Sequence, residues 1–417
     1  MPGKLAVKGG TPVVNEPQPH FTWPPPVPGL SEVISAYIVS GKPLSIVDRS
    51  GIYQELEDRF CELLQRKYAV LVSSGTMALY SAFFGIDLKP GDEVISTVYS
   101  FHATATPLLH LGVHVIFCDI EDDTGNIDCN EIIPLITPRT KAVVTNHMWG
   151  HPVDIKRVAE ICRNHKLYWV EDCSHAHFSS YQGEYVGKKG DVAVFSLQGN
   201  KLLTGGEGGI LLTDSVDVYE RATLLGHSLK RSMDCVKNPA WQDIRRTGFG
   251  LKFRIHPLAA VMVKHLLENH CFGWIESRAK TLEYFSKGLE ATGLIKPPAR
   301  REYVTSMGAH YGFKPGMDFN NLGVSRETLV SALRAEGLDV SVPGSLPFHR
   351  LPIFEPSRFH VGNFSKTDHG DRKFPGADKY HSQILSLPTF TFKDQVPMVD
   401  KYIEAFEKVL ANLEELV

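Results

Sequence analysis

The chain has 417 residues, of which 43% are hydrophobic and 22% charged, and this composition is typical of a soluble globular protein with two or three domains. Its net charge of −3 gives no electrostatic reason to expect nucleic acid or an anionic membrane as a partner. Seven cysteines without a C-x-x-C pair argue against a disulfide framework and a zinc site, and Met1 to Lys8 lack the apolar core of a signal peptide. We therefore expect a cytoplasmic protein that acts on small molecules.

The first segment, residues 1–30, is rich in glycine and proline and is predicted to be an extended arm that packs on its own body or on a partner subunit. Apolar residues recur at helical spacing between Glu55 and Arg66, so an amphipathic helix is predicted there. Short apolar runs then predict strands at Ala69–Val72, Glu93–Thr97, His114–Asp119, Lys141–Asn146, Leu167–Asp172, Val192–Leu197 and Gly209–Thr213. Further helices are predicted at Thr76–Phe84, Thr104–Leu111, Ile155–His165, Val218–Gly226, His256–Leu289, Arg326–Glu336 and Gln395–Val417.

Alternation of nearly continuous apolar strands with helices predicts an α/β fold, in which a mainly parallel seven-stranded sheet is covered by helices on both faces. We expect a large domain over residues 31–255, a linking helix over 256–289 and a smaller C-terminal α+β domain over 290–417. Ligands of such sheets bind at the carboxyl ends of the strands. The residues that follow the predicted strands are therefore the candidates for a binding site.

Ser74, Gly75 and Thr76 follow the first predicted strand and begin a helix. The free backbone N–H groups of a helix N-terminus, together with hydroxyl side chains, suit a phosphate. The same pattern also fits a Ser/Thr helix cap. No Walker lysine follows, so a P-loop is not expected.

Two other strand ends carry polar or aromatic side chains. Asp172 and His175 end one strand, where a carboxylate can act as a general base, hold a protonated ring nitrogen, or bind a metal together with His147 and His151. The histidine spacing matches no zinc motif, so no metal is expected. Phe101 follows another strand, where an aromatic ring can stack on a planar ligand or simply belong to the core.

Lys201 lies between a strand that contains Ser196 and the glycine cluster Gly205–Gly209. A lysine on such a turn is either a solvated cation or a partly desolvated amine suited to forming an imine with a carbonyl. A lysine, an acid, an aromatic face and a phosphate turn at one sheet edge together match what pyridoxal 5′-phosphate requires.

The chain resembles the DegT/DnrJ/EryC1/StrS family, whose members are pyridoxal phosphate enzymes of the fold-type I aspartate aminotransferase superfamily and act mostly on keto-sugars and keto-cyclitols. The resemblance runs from about residue 30 to the C-terminus, and the motifs agree in order and spacing. They are Ser74-Gly-Thr76, Gly91-Asp-Glu-Val-Ile, Ser100-Phe-His-Ala-Thr, Glu171-Asp-Cys-Ser-His175, Gly187 to Ser196, Asn200-Lys to Gly209, and Leu385-Ser-Leu-Pro388.

The resemblance implies a role for each candidate residue. Lys201 is implied to form the imine with the cofactor and to carry the proton between the substrate and the cofactor. Asp172 is implied to pair with the pyridinium nitrogen, Phe101 to stack on the ring, and His175 to contact the phenolic oxygen. The residues implied around the phosphate are Ser74, Gly75, Thr76 and Ser196.

One position departs from the family pattern. Lys252 stands where many relatives have the asparagine of Gly-x-Asn-Tyr-Arg, which reaches the cofactor phosphate of the neighbouring subunit. An ammonium can bind the same phosphate, or Lys252 can be an exposed loop residue. If it binds the phosphate, the active site is shared between chains and the protein is a homodimer.

The predicted function is transfer of an amino group from an amino acid, glutamate or glutamine, to a nucleotide-linked keto-sugar or a keto-cyclitol in amino-sugar, aminocyclitol or other secondary-metabolite biosynthesis. Some relatives carry histidine in place of the imine lysine and are sugar dehydratases, so Lys201 favours transamination. The alternatives are another pyridoxal phosphate lyase or dehydratase on a sugar-like substrate, a non-catalytic pyridoxal phosphate-binding regulatory protein, and a metal hydrolase that uses His147, His151 and His175.

Overall fold

The structure is a computed structural model that describes residues 3–355 and 371–416. Its strands are β1 (Tyr68–Val72), β2 (Glu93–Thr97), β3 (His114–Cys118), β4 (Thr140–Asn146), β5 (Tyr168–Asp172), β6 (Ser180–Tyr181), β7 (Glu184–Tyr185), β8 (Val192–Ser196), β9 (Gly209–Thr213) and β10 (Val304–Ser306). Its helices are α1 (Leu30–Val39), α2 (Gly51–Leu64), α3 (Gly75–Gly85), α4 (Thr106–His110), α5 (Ile155–His165), α6 (Val216–Gly226), α7 (Lys230–Cys235), α8 (Pro257–Asn269), α9 (Cys271–Ala291), α10 (Arg326–Ala335), α11 (Pro375–Gln383) and α12 (Val396–Ala411).

Seven strands form one sheet in the order β1-β9-β8-β5-β4-β2-β3. The strand β9 runs antiparallel to its neighbours β1 and β8, and the other pairs in this sheet are parallel. This confirms the predicted α/β class and the mainly parallel seven-stranded sheet. The carboxyl ends of six strands and the beginning of β9 therefore meet at one edge.

Helices cover both faces of the sheet, and alternate residues of each strand face opposite sides. In β1, Val70 and Val72 belong to the core cluster that contains residues of α3, α4 and α6. Ala69 and Leu71 belong to the cluster that contains residues of α2, α5 and α8. Strands buried on both faces explain why the sequence shows continuous apolar runs there.

A third core cluster lies in the C-terminal part of the chain, between α9, α10 and α12. The helical stretch predicted over 256–289 consists of two helices, because α8 ends at Asn269 and α9 begins at Cys271. The second of them contributes Trp274 to the cluster beside the sheet and Phe285 to the third cluster. The proposed domain boundaries stay a prediction.

The N-terminal arm packs on its own chain. Leu5 and Val14 are buried in the third core cluster, and the backbone N–H of Val14 donates to the carbonyl of Glu336 at 2.9 Å. The carboxylate of Glu336 also accepts from the N–H of Ala6 at 2.8 Å. None of the helices in the described ranges is long and apolar enough to cross a membrane.

Candidate active site

A pocket of about 880 Å³ opens at the carboxyl edge of the sheet. Most of the predicted site residues line this pocket. They are Ser74, Gly75, Thr76, Phe101, Asp172, His175, Ser196 and Lys201. The exception is Lys252, which is exposed and lies outside this pocket. The sheet thus brings together side chains that are up to 127 positions apart in the sequence, from Ser74 to Lys201.

The turn after β1 is packed tightly against the end of β8. Ser74 is the N-cap of α3, and its hydroxyl accepts from the N–H of Met77 at 3.1 Å. Gly75 approaches Ser196 so closely that a Cβ on Gly75 would lie 2.7 Å from the Ser196 Cβ. The first N–H groups of α3 have no partner within the helix, and a helix N-terminus favours an anion. Ser74 can therefore cap α3 while the other free N–H groups at the helix N-terminus bind a phosphate.

Asp172 ends β5, and its buried carboxylate is oriented from two sides. The Thr104 hydroxyl donates to Oδ2 at 2.8 Å, and the backbone N–H of Ser174 donates to Oδ1 at 3.1 Å. Ser100 and Thr104 are also hydrogen-bonded, at 2.9 Å. Because Thr104 uses its only hydroxyl proton on Asp172, Ser100 is the donor in that second bond.

Lys201 lies on the turn that follows β8, and only 7% of it is exposed. Its backbone N–H donates to the Gln198 carbonyl at 2.8 Å, and its own carbonyl accepts from the indole N–H of Trp23 at 2.9 Å. The ammonium Nζ lies 3.5 Å from the ring centroid of Tyr311. Burial lowers the pKa of Lys201 to about 7, although the nearby Asp172 charge opposes that shift. A large neutral fraction at neutral pH makes this amine a nucleophile and a proton acceptor.

His175 lies in an aromatic stack. Its ring centroid is 5.2 Å from that of Trp149 and 4.3 Å from that of Tyr311, with interplanar angles of 11° and 20°. Its Nδ1 is buried and has no hydrogen-bond partner among the residues described. Burial first, and then the charges of Lys201 and Lys314, hold the pKa of His175 well below its usual range, so the imidazole is neutral.

The sequence profile of the DegT/DnrJ/EryC1/StrS aminotransferase family matches residues 47–398 of the chain. The chain belongs to this family. It is 33% identical to the GDP-perosamine synthase of Escherichia coli O157:H7, over 83% of this chain and 86% of that protein. It is 30% identical to the L-glutamine:2-deoxy-scyllo-inosose aminotransferase of Streptomyces kanamyceticus, over 86% of this chain and 85% of that protein.

Solved structures share the fold. The aminotransferase from Psychrobacter cryohalolentis superimposes with a TM-score of 0.82, over 95% of this chain and 100% of that chain, at 23% identity. The predictions of the DegT/DnrJ/EryC1/StrS family, of the fold-type I architecture and of an aminotransferase of the EC 2.6.1 type are thereby confirmed.

Several other residues of the candidate site were not predicted from the sequence. They are Trp23, Asn146, Trp149, Arg278, Tyr311 and Lys314, all of which line the pocket. Asn146 ends β4, so the rule that placed Asp172 at a strand end applies to it as well. The others come from the arm, from loops and from the C-terminal part, where no sequence spacing relates them to the sheet edge.

Three donor atoms, on His147, Glu171 and Cys173, lie within 4.8 Å of one another in the core. Glu171 accepts from the N–H groups of Gly187 and Lys189, both at 3.0 Å, and contacts His147 Nε2 at 3.2 Å. These contacts of Glu171 therefore hold the loop before β8 against the sheet. Within the described ranges, the metal-hydrolase set of His147, His151 and His175 does not form a metal-binding group.

Proposed function

We propose that this protein is a pyridoxal 5′-phosphate-dependent aminotransferase that moves an amino group from glutamate or glutamine to the ketone of a nucleotide-linked sugar or of a cyclitol. The observation that carries the proposal is the buried Lys201 amine, placed beside Asp172 in a pocket that begins at the N-terminus of α3. These are the amine, the acid and the anion site that the cofactor requires.

The residues present fit that cofactor. The unpartnered Nδ1 of His175 offers a hydrogen bond to a ligand, and the N-terminus of α3 at Ser74, Gly75 and Thr76 lines the pocket, where it suits a phosphate. When bound, pyridoxal phosphate supplies a carbonyl that takes up amines and a ring that accepts electrons from the substrate carbon. Lys201, Asp172 and Phe101 are the residues proposed to hold it, with Ser74, Gly75, Thr76 and Ser196 at the phosphate.

The chain's own groups provide the proton transfer. Lys201 Nζ, with its lowered pKa, accepts the proton from the α-carbon of the donor and later delivers a proton to the acceptor carbon that receives the amino group. Asp172, oriented by Thr104 and Ser174, offers a carboxylate to a protonated ring nitrogen. Half-reactions of this kind follow one another in ping-pong order.

The names of the relatives support both acceptor classes. One relative is a GDP-perosamine synthase, and another is an L-glutamine:2-deoxy-scyllo-inosose aminotransferase. We infer glutamine or glutamate as the donor and a nucleotide-linked keto-sugar or a keto-cyclitol as the acceptor for this chain too. Its place is then in the biosynthesis of an amino sugar or an aminocyclitol.

We also propose a homodimer. The helix α1 is apolar in sequence but has no buried residue, and 51% of Ile38 and 82% of Val39 are exposed. A second copy that covers this face would bury those side chains. Lys252 is exposed in the single chain. A residue that reaches the cofactor of a partner subunit must be exposed in this way.

A visible absorption spectrum of the purified protein tests the function. After incubation with pyridoxal phosphate, the wild type should show the absorption band of a lysine-bound cofactor, and added L-glutamine or L-glutamate should abolish that band. The keto acid formed should equal the enzyme in amount when no acceptor is present. Lys201→Ala should lack the band. A wild type that stays colourless rules the proposal out.

A further inference from the structure

Among residues 3–355 and 371–416, three cationic side chains line the candidate active site, and one of them has no role so far. Lys201 is the proposed catalytic amine. Arg278 is committed to the fold, because its Nε donates to the Thr391 hydroxyl at 2.8 Å and its Nη1 donates to the carbonyl of Ala309 at 2.7 Å. The remaining cation is Lys314.

Lys314 carries a positive charge that its own chain does not balance. Its Nζ donates to the Ser386 hydroxyl and lies 4.7 Å from the ring centroid of Trp149. No carboxylate in residues 3–355 or 371–416 forms an ion pair with it. Its side chain is half-buried, and the protein around the ammonium lowers its pKa to about 8. An ammonium has three donors, so two remain for a ligand.

Lys314 and Lys201 flank the same aromatic stack. The ammonium of Lys201 lies over Tyr311, and that of Lys314 lies over Trp149, while His175 is stacked with both rings. Both ammonium groups line the same pocket, and Trp149, His175 and Tyr311 form the aromatic wall beside them.

Lys314 also lines a side pocket of about 250 Å³ that adjoins the main one. The hydroxyl groups of Ser341, Ser386 and Thr389 belong to its wall. This volume is smaller than the ~300–1,000 Å³ of sites for drug-sized ligands, so it suits a short polar side chain rather than a nucleotide. Asp339 lines the side pocket as well, and its charge disfavours a diphosphate there.

We propose that Lys314 binds the α-carboxylate of the amino-acid donor and that the side pocket receives the polar end of the donor's side chain. The inference rests on the proposed aminotransferase function and names the part of that site that recognises the donor. Lys314 binds the α-carboxylate through a charge-assisted hydrogen bond. The serine and threonine hydroxyls bind the side-chain amide of glutamine, since the Asp339 charge disfavours a second carboxylate there.

The experiment uses the holoenzyme without acceptor and follows the loss of the cofactor band against donor concentration. Lys314→Met removes the charge but keeps the length, Lys314→Arg keeps the charge, and Lys280→Met, at an exposed lysine paired with Glu276, is the matched control. Two donors are compared, L-glutamine and 4-aminobutanamide. The second compound is L-glutamine without its α-carboxylate. The band itself reports that each variant has folded and holds its cofactor.

Lys314→Met should raise the half-saturating concentration of L-glutamine by about tenfold or more, while the value for 4-aminobutanamide should not change. Lys314→Arg should lie between the wild type and Lys314→Met, and Lys280→Met should match the wild type. If Lys314→Met leaves L-glutamine unaffected, or weakens both amines equally, the donor site is elsewhere. If no amine abolishes the band of the wild type, the proposed function itself falls.

Discussion

At the scale of single residues, the pocket contains buried and half-buried ionisable groups whose pKa values the protein lowers. Burial lowers the pKa of Lys201, Lys314 and His175 together, because the same low-polarity walls disfavour each charged form. Asp172 is the counter-charge that partly offsets this effect at Lys201. A neutral amine near a fixed carboxylate is what a lysine needs in order to react at neutral pH.

The lowered pKa of Lys201 predicts a pH profile. Since the neutral amine is the reactive form, the rate at which the cofactor-free protein takes up pyridoxal phosphate should rise with pH up to about 7 and then level off. Borohydride reduction at timed intervals and mass spectrometry measure the attachment at this residue. In Lys201→Ala, the slow labelling of exposed lysines should continue to rise towards about pH 10. A wild-type profile that rises in the same way would contradict a pKa near 7.

Thr104 is predicted to be a positioning residue that acts through Asp172. Thr104→Val keeps the shape but removes the hydroxyl that donates to Oδ2 at 2.8 Å. A hydrogen bond to a charged group contributes about 1.5–3 kcal/mol, so the donor half-reaction should slow by roughly tenfold or more. Thr104→Ser restores the hydroxyl and should recover most of the rate. Stopped-flow spectroscopy measures the rate of the donor half-reaction in the three proteins. Equal rates for Thr104→Val and the wild type would show that Thr104 does not act through Asp172.

At the scale of secondary-structure elements, the site is made where strands end. All seven strands of the large sheet were predicted from apolar runs, because burial on both faces leaves a continuous signal. The motif residues follow those strands, so the sequence also located Ser74, Asp172 and Lys201 at one edge.

Elements without that signal were missed. No helix was predicted at α7, which has six residues, or at α1, which has ten. Trp23 enters the site only because the arm folds back to reach Lys201, and Tyr311 enters from the C-terminal part. Such long-range contacts depend on tertiary packing, which local periodicity does not encode.

The contact between the beginning of α3 and the end of β8 makes a prediction at this scale. A methyl group at Gly75 would lie 2.7 Å from the Cβ of Ser196, so Gly75→Ala should push the helix N-terminus away from the strand end. We expect affinity for pyridoxal phosphate to fall by about tenfold or more, measured by fluorescence titration.

Gly273 provides the control for that substitution. It lies within α9, and a Cβ there would meet nothing within 4 Å. Gly273→Ala should leave cofactor affinity unchanged and should raise the free energy of unfolding by up to about 1 kcal/mol, since alanine favours a helix. Unchanged affinity in Gly75→Ala would show that the phosphate does not depend on this contact.

At the scale of the whole molecule, the question is whether one chain completes its own site. The pocket contains the proposed lysine, acid and phosphate turn, but Lys252 lies outside it. In the proposed dimer, a second copy would cover the exposed apolar residues of α1. A two-fold dimer would place the same residues of each chain at the other chain's site.

Mixing two inactive variants tests that arrangement. Lys201→Ala lacks the catalytic amine, and Lys252→Met lacks the charge proposed to reach the partner's phosphate. A mixed dimer has one site with both defects and one with neither, so unfolding and refolding an equal mixture should restore about a quarter of wild-type activity. Lys252→Asn, which restores the amide that many family members carry, should be active alone because it can still donate to the phosphate. If the mixture stays inactive while light scattering shows mixed dimers, Lys252 serves no partner site, and if the protein is a monomer, the shared site is excluded altogether.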